Sequence, residues 1–129
     1  MEFLYYLGNA SLALRVLKYL KNPSTEPIEF VTVVHQLDGW VLRVRCTRAW
    51  TAHRLEDFRA FLNELGVAHC PNPRLHHVLM DLEEGYSPIE VMQQYQVAVI
   101  EHGQPNLSEI EAFRQQFIQG LGYCPETLG

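Results

Sequence analysis

Apolar and polar positions alternate most clearly between residues 28 and 47. This segment reads Ile-Glu-Phe-Val-Thr-Val-Val-His-Gln, then Leu-Asp-Gly, then Trp-Val-Leu-Arg-Val-Arg-Cys-Thr. Two runs rich in β-branched residues flank the pair Asp38-Gly39, which is a strong short-range signal for a β-hairpin. The first run alternates less cleanly because Val33 and Val34 are adjacent, and this is typical of a strand covered on both faces. The pattern predicts a hairpin against which the other elements pack.

The rest of the first half carries strand and helix patterns in turn. Residues 3–7 are aromatic and apolar and predict a strand, with the start of a helix as the alternative. Apolar residues at helical spacing predict a helix over residues 10–21, whose apolar surface is wider than one sheet face can cover. Thr51 is an N-cap candidate for a second helix that ends at Gly66, and residues 67–69 predict a short strand.

The second half is mainly helical in pattern. Asn72-Pro73, Ser87-Pro88 and Ser108 each carry the signals of a helix start. Residues 97–100 are apolar on every side, and their β-branched side chains favour a fourth strand of the sheet over a helical turn.

The order strand, helix, strand, strand, helix is the ferredoxin-like βαββα order, which places both helices on one face of a sheet. The fold prediction is therefore a single α+β domain with a small, mainly antiparallel sheet and helices on one face. Within it, residues 1–70 form the α+β core and residues 71–129 form a mainly helical extension.

Composition and charge narrow the classes of function. The chain has 129 residues and a formal charge of −5, which disfavours bulk attraction to nucleic acid or to an anionic membrane. Residues 1–66 hold eight basic and seven acidic side chains, whereas the remainder holds two basic and eight acidic ones. Three scattered cysteines make no disulfide framework, and no apolar run is long enough for a bilayer span. These features predict a cytoplasmic protein without a membrane partner.

A basic and aromatic set follows from the alternation in the second strand. Arg43 and Arg45 share one strand face, and Arg48, Trp50 and His53 come shortly after them. Guanidinium groups bind phosphate, and an indole ring can stack on a base, so this set is a candidate for binding RNA or single-stranded nucleic acid. The competing interpretation is a solvated sheet face whose arginines pair with nearby carboxylates.

A second set consists of possible metal ligands. His69, Cys70 and His76 are candidate zinc ligands because imidazole and thiolate suit that metal. The spacing contains neither a Cys-x2-Cys nor a His-x3-His pair, and the neighbouring His77 would point about 100° away from His76 on a helix. A metal-dependent hydrolase or nuclease that uses this set or His53 is therefore an alternative, and no cofactor is predicted.

No catalytic set stands out in the sequence. Phosphate loops, dinucleotide fingerprints and nucleophile elbows are absent. With no catalytic residue assigned, the leading prediction is a small non-enzymatic regulatory or adaptor domain that acts by protein–protein interaction. The wide apolar surface of residues 10–21 favours a second copy of the chain as one partner, that is, a homo-oligomer.

Overall fold

The computed structural model describes residues 1–129 and is built on one antiparallel five-stranded sheet. The order across the sheet is β4-β1-β3-β2-β5, and every neighbouring pair is antiparallel. The strands are β1 (Glu2–Leu7), β2 (Ile28–Gln36), β3 (Gly39–Cys46), β4 (Gly66–Ala68) and β5 (Ala98–Gly103). The prediction of an α+β protein with an antiparallel sheet is confirmed. The sheet has five strands, and β5 confirms the strand predicted at residues 97–100, within the segment that is otherwise mainly helical.

Five helices complete the fold: α1 (Ala10–Lys21), α2 (Ala52–Leu65), α3 (Pro73–Glu83), α4 (Pro88–Tyr95) and α5 (Leu107–Leu121). Side-chain oxygens of Thr51, Asn72 and Ser87 accept first-turn backbone N–H groups at the starts of α2, α3 and α4, which confirms these three predicted caps. Helix α5 begins at Leu107, one residue before the predicted cap Ser108, because Asn106 caps it instead. None of the helices combines the length and apolarity required to cross a bilayer.

The hairpin forms as predicted, but its turn lies one residue earlier than expected. Gln36 pairs with Gly39, so the two turn residues are Leu37 and Asp38, and Gly39 is the first residue of β3. Gly39 does not have a positive φ. A Cβ at this position would lie 2.7 Å from the carbonyl oxygen of Leu7, so close approach to β1 is the reason for glycine here.

Helices cover both faces of the sheet, which corrects the prediction that they cover one. Val33 and Val34 point to opposite faces, and each is fully buried. Val33 joins a core cluster with residues of α1, α2 and α5, whereas Val34 joins a second cluster with residues of α3 and α4. The adjacent valines, which interrupt the alternation of polar and apolar residues in β2, thus pack into two separate cores.

The wide apolar surface of α1 is covered by the chain itself. Helix α5 and a 3-10 turn at Glu126–Leu128 pack against α1, and Leu128 is fully buried in the core there. The indole Nε1 of Trp40 donates to the carbonyl of Thr127 at 2.6 Å, which fixes this turn over the core. The surface that favoured a homo-oligomer in the sequence is therefore not free to bind a second copy.

Candidate functional site

Two members of the predicted nucleic-acid-binding set lie together, in an ion-pair network. Arg43 pairs with Glu2 and, at 2.8 Å, with Glu83 of α3. Arg45 pairs with the same two glutamates and lies 3.9 Å from Glu29. Hydrogen bonds from both arginines lower the pKa of the Glu83 carboxyl. Both guanidinium groups already have carboxylate partners, and a phosphate ligand would have to compete with them.

The other three members of that set do not join a common stacking surface. Arg48 borders the same shallow pocket as Arg45, and it is exposed. Trp50 is buried in the larger core, where its Nε1 donates to the carbonyl of Pro27 at 2.9 Å, so its ring cannot stack on a base. His53 is exposed on α2 and lies 3.4 Å from Asp57. Nucleic-acid binding through this set stays a prediction.

The candidate metal ligands are similarly dispersed. His69 and Cys70 follow β4, and His76 lies on α3, where its ring faces that of His77 at 6.1 Å between centroids. No group of three or more His, Cys, Asp or Glu side chains is placed to hold a metal ion. Among the cysteines, Cys46 is buried, and this burial raises the pKa of its thiol to about 11, which disfavours the reactive thiolate.

A cavity of about 550 Å³ lies at the tip of the hairpin, and we refer to it as the tip cavity. Three separate parts of the chain form its walls: the β2–β3 turn, the start of α3, and the link from α4 into β5. Phe117 of α5 closes one side. The volume is within the range of about 300–1,000 Å³ that is common for small-molecule sites.

His35 is the most unusual residue of the tip cavity. It is 9% exposed, and its Nε2 atom is buried without a hydrogen-bond partner. Its ring packs among three aromatic rings, with centroids 4.8 Å from Trp40, 5.1 Å from Phe113 and 5.8 Å from Phe117. Burial lowers the pKa of His35, so the ring is neutral at pH 7. A buried polar atom without a partner destabilises a fold, so this position calls for an explanation.

The opposite wall of the tip cavity carries positive charge. Arg74, in the first turn of α3, donates to the backbone carbonyls of Tyr95 and Gln96 and has no carboxylate within 4.0 Å. The Asn72 side chain accepts the N–H of Leu75, and its carbonyl accepts that of His76. The N–H of Arg74 has no carbonyl within the helix, so it remains at the positive end of the α3 dipole.

Two exposed apolar side chains, Leu37 and Phe117, line the tip cavity, and two more follow Phe117 along the chain. Leu37, at the hairpin turn, is 97% exposed, and Phe117 is 37% exposed. Leu121 lies one turn after Phe117 on the same side of α5 and is 42% exposed, and Tyr123 follows the helix and is 62% exposed. We call these four residues the tip strip. A group of exposed apolar side chains near one cavity is typical of an interaction surface.

Sequence reasoning missed the residues of the tip cavity. His35, Arg74 and Phe117 lie far apart in the chain, and only tertiary packing brings them together. One signal was present: His35 directly follows the apolar pair Val33-Val34 in a predicted strand. Comparison of the chain with protein-family models, with curated proteins and with solved structures gives no match.

Proposed function

We propose that this protein is a small, non-enzymatic regulatory or adaptor domain of the cytoplasm that acts by binding other proteins, including a second copy of itself. The tip strip is the contact surface in this proposal. The observation that carries it is the 97% exposure of Leu37 next to the apolar wall formed by Phe117. Apolar side chains at a turn tip are otherwise disfavoured, because turns are normally polar.

A second copy fits this surface for a geometric reason. Leu37 projects from the turn, and the cavity lies directly beside it, so a projecting group and a recess are adjacent on one surface. Two copies related by a two-fold axis can each place Leu37 against the recess of the other. The surface that first suggested self-association, on α1, has no part in this contact because α5 covers it.

The fold itself supports an adaptor of this kind. We propose that strands β1 to β4, with α1 and α2, form a ferredoxin-like unit, and that β5 is an addition at the β2 edge. The first four strands follow the order β4-β1-β3-β2, and the two helices lie on one face. In this arrangement the hairpin tip and the end of α5 lie at the same end of the sheet and can bind a partner together.

Sedimentation equilibrium of the purified chain tests the proposal. We expect a monomer–dimer equilibrium for the native chain and a monomer for Leu37→Asp, because an aspartate would bring unpaired charge into an apolar contact. Ile89→Asp is the matched control, since Ile89 is 65% exposed but lies on α4, away from the tip. A native chain that stays monomeric at high concentration and retains no protein in a pull-down contradicts the proposal.

A further inference from the structure

We propose that two copies of this protein exchange residues 123–129, a segment that we call the strap. In the exchanged form, the 3-10 turn Glu126–Leu128 of one copy packs on α1 of the other copy. This inference rests on the proposed function, because two copies must first meet at the tip. It adds the segment that each copy contributes to the other. The structure shows the closed form, in which the strap packs on α1 of its own chain.

The surface that receives the strap, which we call the strap site, is complementary to it. Leu128 is fully buried in the larger core, and the hydroxyl of Ser11 on α1 donates to the carbonyl of Gly129. The Nε1 of Trp40 donates to the carbonyl of Thr127 at 2.6 Å, and Trp40 is itself fully buried, so this N–H needs an acceptor. The strap of a second copy presents the same side chain and the same carbonyls.

The strap has few other attachments to the chain. Leu128 is its one buried residue, whereas Tyr123, at 62% exposure, and Cys124 lie in solvent between α5 and the strap site. Release of the strap therefore requires that one leucine and two hydrogen bonds leave their places. The sheet and the five helices can stay folded during such a local opening.

Gly122 is the hinge of this opening. It ends α5 in the left-handed conformation, with a φ of 78°, and its N–H donates to the carbonyl of Ile118 at 2.8 Å. This conformation directs the chain from the end of α5 to its own strap site. In an extended conformation, residues 122–125 span up to about 13 Å, which lets the strap leave its own chain.

The strap and the tip strip lie at the same end of the sheet. Trp40, which binds Thr127, is the second residue of β3 and follows the hairpin turn closely. Trp40 pairs with Leu7 at the end of β1, and α1 begins three residues after Leu7. Tyr123, the first residue of the strap, belongs to the tip strip. Two copies that meet at this end therefore bring each strap close to the strap site of the other.

The tip contact decides between the closed and exchanged forms. Tethering favours the closed form, because it keeps the strap at a high effective concentration beside its own site. The contacts within the strap site are the same in both forms, so they favour neither, and α1 stays covered in both. Burial of Leu37 between two copies favours exchange. We therefore expect Leu37→Asp to abolish exchange together with dimerisation.

A disulfide between two different copies tests the exchange. Both copies carry Cys70→Ser and Cys124→Ser, which remove the exposed native thiols. One copy also carries Ser11→Cys and the other Gly129→Cys, at two positions that are in contact in the closed form. The copies are mixed in urea, refolded together at high concentration and mildly oxidised. We expect a disulfide that joins the two copies, because exchange brings the two new thiols together.

Two controls and sedimentation equilibrium make the result decisive. Ser11→Cys and Gly129→Cys in one chain, kept dilute, should form a disulfide within that chain, and failure to do so overturns the strap site. Two copies that both carry Ser11→Cys should stay unlinked, and linkage there overturns the proposal because the tip contact alone would bring thiols together. A dimer without the mixed disulfide overturns exchange and leaves the proposed function intact, whereas absence of a dimer overturns both.

A hinge variant gives a second, independent measurement. Gly122→Ala strains the left-handed conformation of the closed form and not an extended hinge, and each exchanged dimer contains two hinges. We expect its association constant to rise at least about tenfold. Gly85→Ala is the matched control, since Gly85 follows α3 with a φ of 106° and should leave association unchanged. An association constant unchanged in Gly122→Ala overturns exchange, because a dimer of closed chains carries the same strain as the monomer.

Discussion

At the scale of single residues, the structure contains two buried polar groups whose environments oppose their charged forms. His35 lies among aromatic rings, and Glu101 lies on β5 near the start of α5. Burial of each group destabilises the folded state, and only one of the two has a hydrogen-bond partner that offsets this. The carboxylate of Glu101 accepts the backbone N–H of Asn106 at 3.1 Å, whereas Nε2 of His35 accepts or donates nothing.

The unpaired nitrogen of His35 leads to a prediction about stability. We expect His35→Phe to raise the free energy of unfolding by about 1 kcal/mol, because it removes a buried group without a hydrogen-bond partner and keeps the aromatic packing. The cavity beside the ring gives the larger side chain room. Urea denaturation measures the change.

His102→Phe is the matched control for this substitution. Nδ1 of His102 lies 2.7 Å from the hydroxyl of Thr32, which is almost fully buried, so phenylalanine there leaves Thr32 unpaired. This variant should lose stability. A loss of stability in His35→Phe with an unchanged fold would mean that the histidine is part of the core rather than of a site.

Because Glu101 is buried, we expect the stability of the protein to depend on pH. Burial raises the pKa of its carboxyl from 4.5 to about 7, and the Asn106 N–H offsets only part of that shift. The folded state favours the protonated form of Glu101 more than the unfolded state does. The stability that protonated Glu101 contributes is therefore complete below pH 4.5, its unfolded pKa, and is lost as the pH rises through its folded pKa of about 7.

We therefore expect Glu101→Gln to match the native chain in stability at pH 4 and to exceed it above pH 7 by about 1–3 kcal/mol. The exposed Glu56→Gln variant should show the native pH profile. Thermal unfolding between pH 4 and pH 8 gives the comparison. A Glu101→Gln profile parallel to the native one would show that Glu101 titrates normally.

At the scale of elements, the ion pairs of Arg43 join β3 to α3. The Arg43 side chain is 11% exposed, and besides its carboxylate partners it donates to the carbonyl of Leu79 at 3.3 Å. This arginine therefore anchors α3 to the face of the sheet. Hydrogen bonds from Arg45 and Arg43 lower the pKa of Glu83 in the folded state. The stability that they contribute is complete above the pKa that Glu83 has in the unfolded chain, and it is lost as the pH falls through the lower pKa of the folded state.

We expect a double-mutant cycle of Arg43→Met and Glu83→Gln to give a coupling free energy of about 1 kcal/mol. The coupling should vanish at a pH low enough to protonate Glu83. The exposed pair His53 and Asp57 is the control and should give less, because water screens it. Additive effects at Arg43 and Glu83 would show that this ion pair does not contribute to holding α3 on the sheet.

Local sequence signals predicted where most helices start, but they did not predict which face of the sheet each helix covers. The N-caps Thr51, Asn72 and Ser87 are visible because a side-chain oxygen acts within one turn, and a proline follows the last two of them. The positions of α3 and α4 on the second face depend on Val34 and Val41 meeting Val78 and Val91 across long stretches of chain. Nothing local encodes that contact.

At the scale of the whole molecule, the sheet is enclosed by helices on two sides, and the tip is where the enclosure is incomplete. Trp40 and the 3-10 turn close the core below α5, but the cavity and the tip strip remain open beside the hairpin. Sequence patterns could not reveal this opening, because it results from the relative positions of β2, α3 and α5. The site is a property of the assembled fold.

The central claim is that this open tip is where the protein meets a second copy. Amide hydrogen exchange at low and high protein concentration tests it most directly, since it locates the contact. We expect added protection at high concentration around residues 37–40 and 117–123, and none around Ile89. Protection at α1 or at the β4 edge, or exchange that is independent of concentration throughout the chain, would contradict the account.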